Sequence, residues 1–169
     1  MYADYKDQTN QTLVHILGTF LQQLLVSAQE PIPNEVFQKL DDIQRQGRKA
    51  GIEDYLPLLI IRLIQLKRAF ICIDAIDELE PRVRQQLLHV LKDLATNHNT
   101  CLFLTGRGHI EWEVQACFEV VQRCAVSASE QDIREFVRQQ INEDRNPKAM
   151  DEVLAERIED AIIKRSQGM

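Results

Sequence analysis

The sequence lacks the features that would carry a chain into a membrane or onto nucleic acid. No apolar run approaches the roughly 20 residues needed to span a bilayer, so no transmembrane helix is expected. Basic residues are not in excess: Lys plus Arg number 20 against 26 Asp plus Glu, for a formal net charge of −6. A nucleic-acid-binding surface is therefore not expected. The polar start, with Asp4 and Asp7 among its first residues, is not expected to act as a signal or a transit peptide. Cysteine is sparse. Cys72, Cys101, Cys117 and Cys124 form no CxxC pair and have no His at zinc-finger spacing. Cys72 and Cys101 lie inside apolar runs, so both are expected in the core as small hydrophobes of a reduced, cytoplasmic protein.

Glycine is also informative by its placement. Gly18, Gly47, Gly51, Gly106, Gly108 and Gly168 are the six, and none opens a Gly-x-x-x-x-Gly-Lys-[Ser/Thr] stretch. A loop that cradles phosphates on backbone amides is thus absent from the sequence. No Gly-x-Ser-x-Gly elbow occurs either, which leaves a hydrolase of that kind without support. His15, His89, His98 and His109 share no ligand spacing, and surface or turn roles suit them better than metal ligation. Trp112 is expected to pack at an edge.

What is present is an ordinary globular balance, with 44% hydrophobic and 27% charged residues over 169 positions. Leu13, Ile16, Leu17, Phe20, Leu21, Leu24 and Leu25 recur at helical spacing from Thr12 onward, as one wide apolar stripe. Tyr2-Ala3-Asp4-Tyr5 has the look of a strand end but is too short for pattern to decide. Pro31 and Pro33 start a second helix with a thin face of Val36, Leu40 and Ile43, closed by Gly47 and Gly51. A third helix is expected from about Glu53 to Leu66, with Pro57 in its first turn. Ala69-Phe70-Ile71-Cys72-Ile73 is a short unbroken apolar run, the pattern of a parallel strand covered on both faces.

Pro81 opens a helix with Val83, Leu87, Leu88, Leu91 and Leu94 inward. Asn97-His98-Asn99-Thr100 reads as a turn. Cys101-Leu102-Phe103-Leu104 is a second buried strand, and Phe118-Glu119-Val120-Val121 a candidate third. Ser129 can cap a helix striped by Ile133, Phe136, Val137 and Ile141, with Asp132 in its first turn. A last helix, about Asp151 to Gln167, carries Val153, Leu154, Ile158 and Ile162. The alternation predicts an α/β fold, a parallel sheet flanked by helices with a helical C-terminal part.

The chemistry is expected where the first strand runs into acids. Phe70-Ile71-Cys72-Ile73 leads directly to Asp74, Asp77 and Glu78. Ligands of parallel sheets bind at the carboxyl ends of strands. A carboxylate there suits hydrated Mg²⁺, and a second acid can orient a water for attack on a γ-phosphate. The plainer reading makes Asp77, Glu78 and Glu80 an acidic helix start before Pro81.

Ile71-Cys72-Ile73-Asp74-Ala75-Ile76-Asp77-Glu78-Leu79 resembles the extended Walker B motif of NACHT-type STAND NTPases, the regulatory ATPase modules of NOD-like receptors, in their fungal form. The resemblance implies a P-loop NTPase-like fold, Asp74 at the Mg²⁺ position, and Asp77 and Glu78 as the catalytic acids near the attacking water. Leu102-Phe103-Leu104-Thr105-Gly106-Arg107 resembles the sensor 1 strand of the same family, which usually ends Thr-Ser-Arg. It implies Thr105 and Arg107 as nucleotide contacts, with Gly106 standing where Ser is usual. Asp4-Tyr5-Lys6-Asp7-Gln8, Asp132-Ile133-Arg134-Glu135-Phe136-Val137 and Ser166-Gln167-Gly168-Met169 are similar to flanking pieces of the family.

The expected organisation is a partial nucleotide-binding core over 1–126, with its first P-loop β-α unit missing, and a helical extension of the same domain over 127–169. Mg²⁺ and ATP or GTP are the implied ligands. Without amides to grip phosphates, independent hydrolysis is not expected. The expected role is protein association, with partners or with itself, in cytoplasmic signalling of an innate-immunity or heterokaryon-incompatibility kind. Two alternatives stay open: a small Mg²⁺-dependent phosphohydrolase or nuclease using Asp74, Asp77 and Glu78, and a purely structural interaction domain.

Overall fold

The computed structural model describes residues 1–3, 11–27, 31–143 and 152–166. Asp4-Tyr5-Lys6-Asp7-Gln8 and Gln167-Gly168-Met169 lie outside the described residues. The described residues form seven α-helices and a two-stranded parallel sheet. They divide into two compact units, Met1–Val121 and Gln122–Met169.

The first unit begins with α1 (Leu13–Ser27), α2 (Asn34–Arg45) and α3 (Ile52–Ile64). The α1 stripe is inward as its spacing requires: Leu13, Ile16, Leu17, Phe20 and Leu21 are buried. They meet Leu58, Leu59 and Leu63 of α3 in one core. Gly47, after α2, has φ +62°, the left-handed region where glycine is favoured. The α3 start is fixed by Asp54, whose carboxylate accepts from the Gly51 amide at 3.0 Å. Asp54 also takes both guanidinium ends of Arg48, at 2.5 and 2.7 Å. These contacts hold its carboxyl well below the usual carboxylate range. Because α3 starts at Ile52, Pro57 is its sixth residue and lies inside the helix rather than in the first turn. The missing amide there falls on the exposed side of the helix.

Strand β1 (Ala69–Ile73) pairs in parallel with β2 (Thr100–Leu104), Ala69 opposite Thr100 through Ile73 opposite Leu104. Helix α4 (Pro81–Asn97) crosses between them. Its residues Leu87, Leu88, Leu91 and Leu94 are buried in the same core as Ile71 and Ile73. Tyr2 makes a parallel bridge to Asp74 on the outer edge of β1. The backbone there is tied by Ala3 N to Asp74 O at 3.0 Å and Asp74 N to Met1 O at 2.9 Å. The opening residues are thus strand-like where described.

Three expectations are corrected here. Burial along β1 alternates instead of being continuous, so among the described residues only one face of the sheet is covered. Cys72 and Cys101 point to the other face and are exposed, not core thiols. Phe118–Val121 is not a strand: it follows a short helix, α5 (Glu111–Cys117), and no ladder partner among the described residues holds it extended. Trp112, on α5, is 65% exposed.

The second unit contains α6 (Glu130–Asn142) and α7 (Glu152–Ser166), packed together. Ser129 caps α6: its hydroxyl accepts from the Asp132 amide at 3.1 Å, and Asp132 accepts from the Ser129 amide at 2.9 Å. The reciprocal pattern is a capping box. Of the expected α6 stripe only Val137 is buried, and Phe136 is exposed. On α7 the inward residues are Glu159 and Ile163, while Val153, Leu154 and Ile162 are exposed. The α7 face is therefore turned by about one position from the one the apolar pattern predicts.

Candidate functional site at the strand ends

The two strands end side by side, and the backbone continues the ladder one step further. Thr105 N donates to Ile73 O at 3.0 Å, and Ile76 N donates to Thr105 O at 2.9 Å. The Thr105 hydroxyl donates to Asp74 Oδ1 and accepts from the Ala75 amide, the latter at 2.9 Å. Ala75 has φ 55°, in the left-handed region that non-glycine residues rarely adopt. The reversal there starts a tight 3-10 turn, Ile76–Glu78, that swings Asp77 and Glu78 back toward the β2 end.

Arg107 meets them. Its amide donates to Asp77 Oδ1 at 3.3 Å. Its guanidinium lies 3.6 Å from Asp77 Oδ2 and 3.6 Å from Glu78 Oε1. The Asp77 side chain is only 4% exposed, whereas that of Arg107 is 75% exposed. An exposed cation at this range binds its partners weakly. All five residues singled out by sequence, Asp74, Asp77, Glu78, Thr105 and Arg107, thus lie on two adjoining strand ends.

Gly106 has a steric reason to be glycine. A Cβ there would sit 3.0 Å from Ile110 Cδ1, 3.3 Å from Asp77 Oδ1 and 3.4 Å from Ile76 Cγ2. The Ser usual at this position of the resembled motif would crowd the 3-10 turn.

One pair was missed by sequence reasoning. Arg84, on α4, is buried and makes a two-pronged contact with Glu113 of α5: Nε to Oε2 at 2.9 Å and Nη2 to Oε1 at 2.8 Å. Its remaining nitrogen, Nη1, donates to the carbonyls of Leu79 at 3.0 Å and Asp77 at 3.3 Å. The guanidinium beside Glu113 holds that carboxyl below its usual range. Arg84 therefore pins the backbone of the acid turn from beneath. The available signal was spacing: Arg84 stands three and four residues before Leu87 and Leu88, in the inward stripe.

Mg²⁺ takes hard oxygen ligands and keeps several waters, often using one or two carboxylates plus substrate phosphates. Asp74 suits that mode, being exposed with one oxygen engaged by Thr105. A cage built wholly from protein is a different matter. Among the described residues no group of three or more His, Cys, Asp or Glu is placed to hold a metal. Asp74 thus has the donor type that a hydrated Mg²⁺ uses.

The geometry defines a class: a mixed α/β domain with a polar site at the carboxyl ends of parallel strands. The chain belongs to the nephrocystin 3, N-terminal family, whose model matches residues 1–107. That span contains both strands and all five site residues, and ends at Arg107. The match is not to a NACHT family. No curated protein and no solved structure was found to match the chain. Among the described residues no helix is long and apolar enough to cross a membrane.

Proposed function

We propose that this chain supplies the acid and sensor half of a Mg²⁺–nucleotide switch of the NACHT-type P-loop kind, and acts through protein association. In this reading Asp74, oriented by Thr105, holds the water shell of a nucleotide-bound Mg²⁺. Asp77 and Glu78 stand by the attacking water, and Arg107 leaves them to meet the γ-phosphate. The observation that carries the reading is the shared hydrogen bonding of Asp74 and Thr105 across two parallel strand ends, with Arg107 poised on Asp77 and Glu78. The sequence holds no Gly-x-x-x-x-Gly-Lys-[Ser/Thr] stretch. Three acids facing a bare triphosphate repel it unless other groups neutralise the phosphates, so this chain by itself binds nucleotide weakly and does not turn it over. The phosphohydrolase alternative has less support, because two-metal chemistry draws carboxylates from several elements, and these three acids come from one five-residue segment.

Calorimetric titration with ATP and GTP, with and without Mg²⁺, tests the proposal. Weak binding that requires Mg²⁺ and falls at least about tenfold in Asp74→Asn and in Arg107→Gln is expected. Binding indifferent to Mg²⁺ and to both substitutions overturns the site, and turnover by the chain alone overturns the half-switch reading.

A further inference from the structure

Parallel sheets normally carry cover on both faces, and among the described residues only one face of this one is buried. The bare face is apolar and ordered in rows. Phe70 stands beside Cys101 and Cys72 beside Phe103, by the register of the strands. Phe70 is 71% exposed and Phe103 63% exposed, and both cysteines are exposed. Tyr2, bridged to Asp74 and 62% exposed, adds a third aromatic at the edge. The ends of the face carry opposite charge. Exposed Lys67 and Arg68 precede β1, and Asp74, then Asp77 and Glu78, follow it.

We infer that this face is an interface with a second copy of the chain, the two sheets packed face to face about a two-fold axis with their strands antiparallel. Two features select that arrangement. A two-fold axis lying in the interface, along or across the strands, sets each Phe of one copy over a Cys of the other, large against small. Such contacts also favour sulfur against ring. Only the axis across the strands makes them antiparallel and places Lys67 and Arg68 of one copy near Asp74 of the other. The axis along the strands would set like charge against like. The interface is isologous, so each favourable charge contact occurs twice.

Area sets the strength. Three aromatics, each leaving roughly 100–150 Å² in water, and two thiols give on the order of 500 Å² per copy. A pair would bury about 1,000 Å², at the small end of specific interfaces. The dimer is accordingly weak and concentration-dependent. It gives the association in the proposal above a surface, and rests on that part of the reading alone. It is tested without nucleotide, so the two can fail separately.

Sedimentation equilibrium of the full chain over a wide concentration range is the experiment. A monomer–dimer equilibrium is expected, weakened at least about tenfold by Phe103→Glu and several-fold by Lys67→Glu with Arg68→Glu. A second measurement needs no variant. Alkylation of Cys72 and Cys101 in the wild-type chain, read by peptide mass spectrometry, slows as protein concentration rises. A chain that stays monomeric throughout, or a dimer that ignores Phe103→Glu and leaves both thiols equally reactive, overturns the interface. Loss on Phe103→Glu with no response to the Lys67 and Arg68 reversals overturns the antiparallel arrangement.

Discussion

In the Met1–Val121 unit, Arg84 is buried next to a broad apolar core that runs from Leu17 and Leu59 to Leu91. In the Gln122–Met169 unit, Glu159 is buried where, among the described residues, the buried apolar ones are Val137 and Ile163. Glu159 draws Arg138 to 2.8 Å and Arg134 to 3.5 Å, and Arg134 also reaches Glu130 and Asp160. The first charge is one fully enclosed link in a structure held by apolar burial. The second is the centre of a half-solvated network that joins α6 to α7. Apolar burial grows with unit size, so the smaller unit leans more on charge, and exposed charge contributes less per contact. The difference also divides the work: in the first unit the buried pair aims a loop, in the second it holds two helices together.

The sharpest way to break this comparison is Arg84→Ala. It strands Glu113 and leaves the carbonyls of Asp77 and Leu79 without their donor. Removing one partner of a buried pair costs about 3–5 kcal/mol, and denaturant unfolding should show that loss in the first unit. Arg84→Met with Glu113→Leu removes both charges and should recover most of it. If the double variant is as unstable as the single, the bonds to Asp77 and Leu79 are what matter, and the pair is more than a self-contained ion pair.

Acid should separate the units next. Asp54 and Glu113 in the first unit, and Asp132 in the second, are all held below their ordinary values, by Arg48, Arg84 and Ser129 respectively. A lowered folded value means the contribution is fully present above the unfolded value near about pH 4 and is lost as pH falls through the folded value. Stability therefore declines in both units below about pH 4. The second unit, with less apolar burial in reserve, is expected to lose amide protection first. Simultaneous loss across both units would show that they do not differ in this way.

Much of this was readable in the residues, and the failures share a cause. The α1 and α4 stripes follow from 3.6-residue spacing, and the strand-end site follows from apolar runs that stop at Asp74 and Thr105. Those are local signals. Arg84 was passed over because its partner Glu113 lies 29 residues away on a helix that the sequence did not announce. Its neighbour Val83, the more obvious apolar choice, is only half-buried. The bare face of the sheet was hidden because an unbroken apolar run looks the same whether one face or both are covered. Phe118–Val121 has strand-like composition, yet a strand exists only where another offers hydrogen bonds. The α7 stripe was misplaced because Glu159, a charged residue, occupies the inward position once Arg134 and Arg138 are there to meet it.

The smallest expected effect tests whether local order can substitute for core in the second unit. Ser129 and Asp132 satisfy two amides at the α6 start that no helical carbonyl reaches. Ser129→Ala removes one acceptor, and caps of this kind contribute about 1 kcal/mol. In a unit with so little apolar burial, that is enough to fray the first turn of α6, visible in backbone chemical shifts over Glu130–Ile133. Ser129→Asp keeps an acceptor at the same place and should restore the turn. The Met1–Val121 unit should be unmoved by either substitution. If Ser129→Ala leaves α6 as ordered as before, packing on α7 through Val137, Glu159 and Ile163 is sufficient to hold the helix without its cap, and the contrast between the units is smaller than their apolar cores suggest.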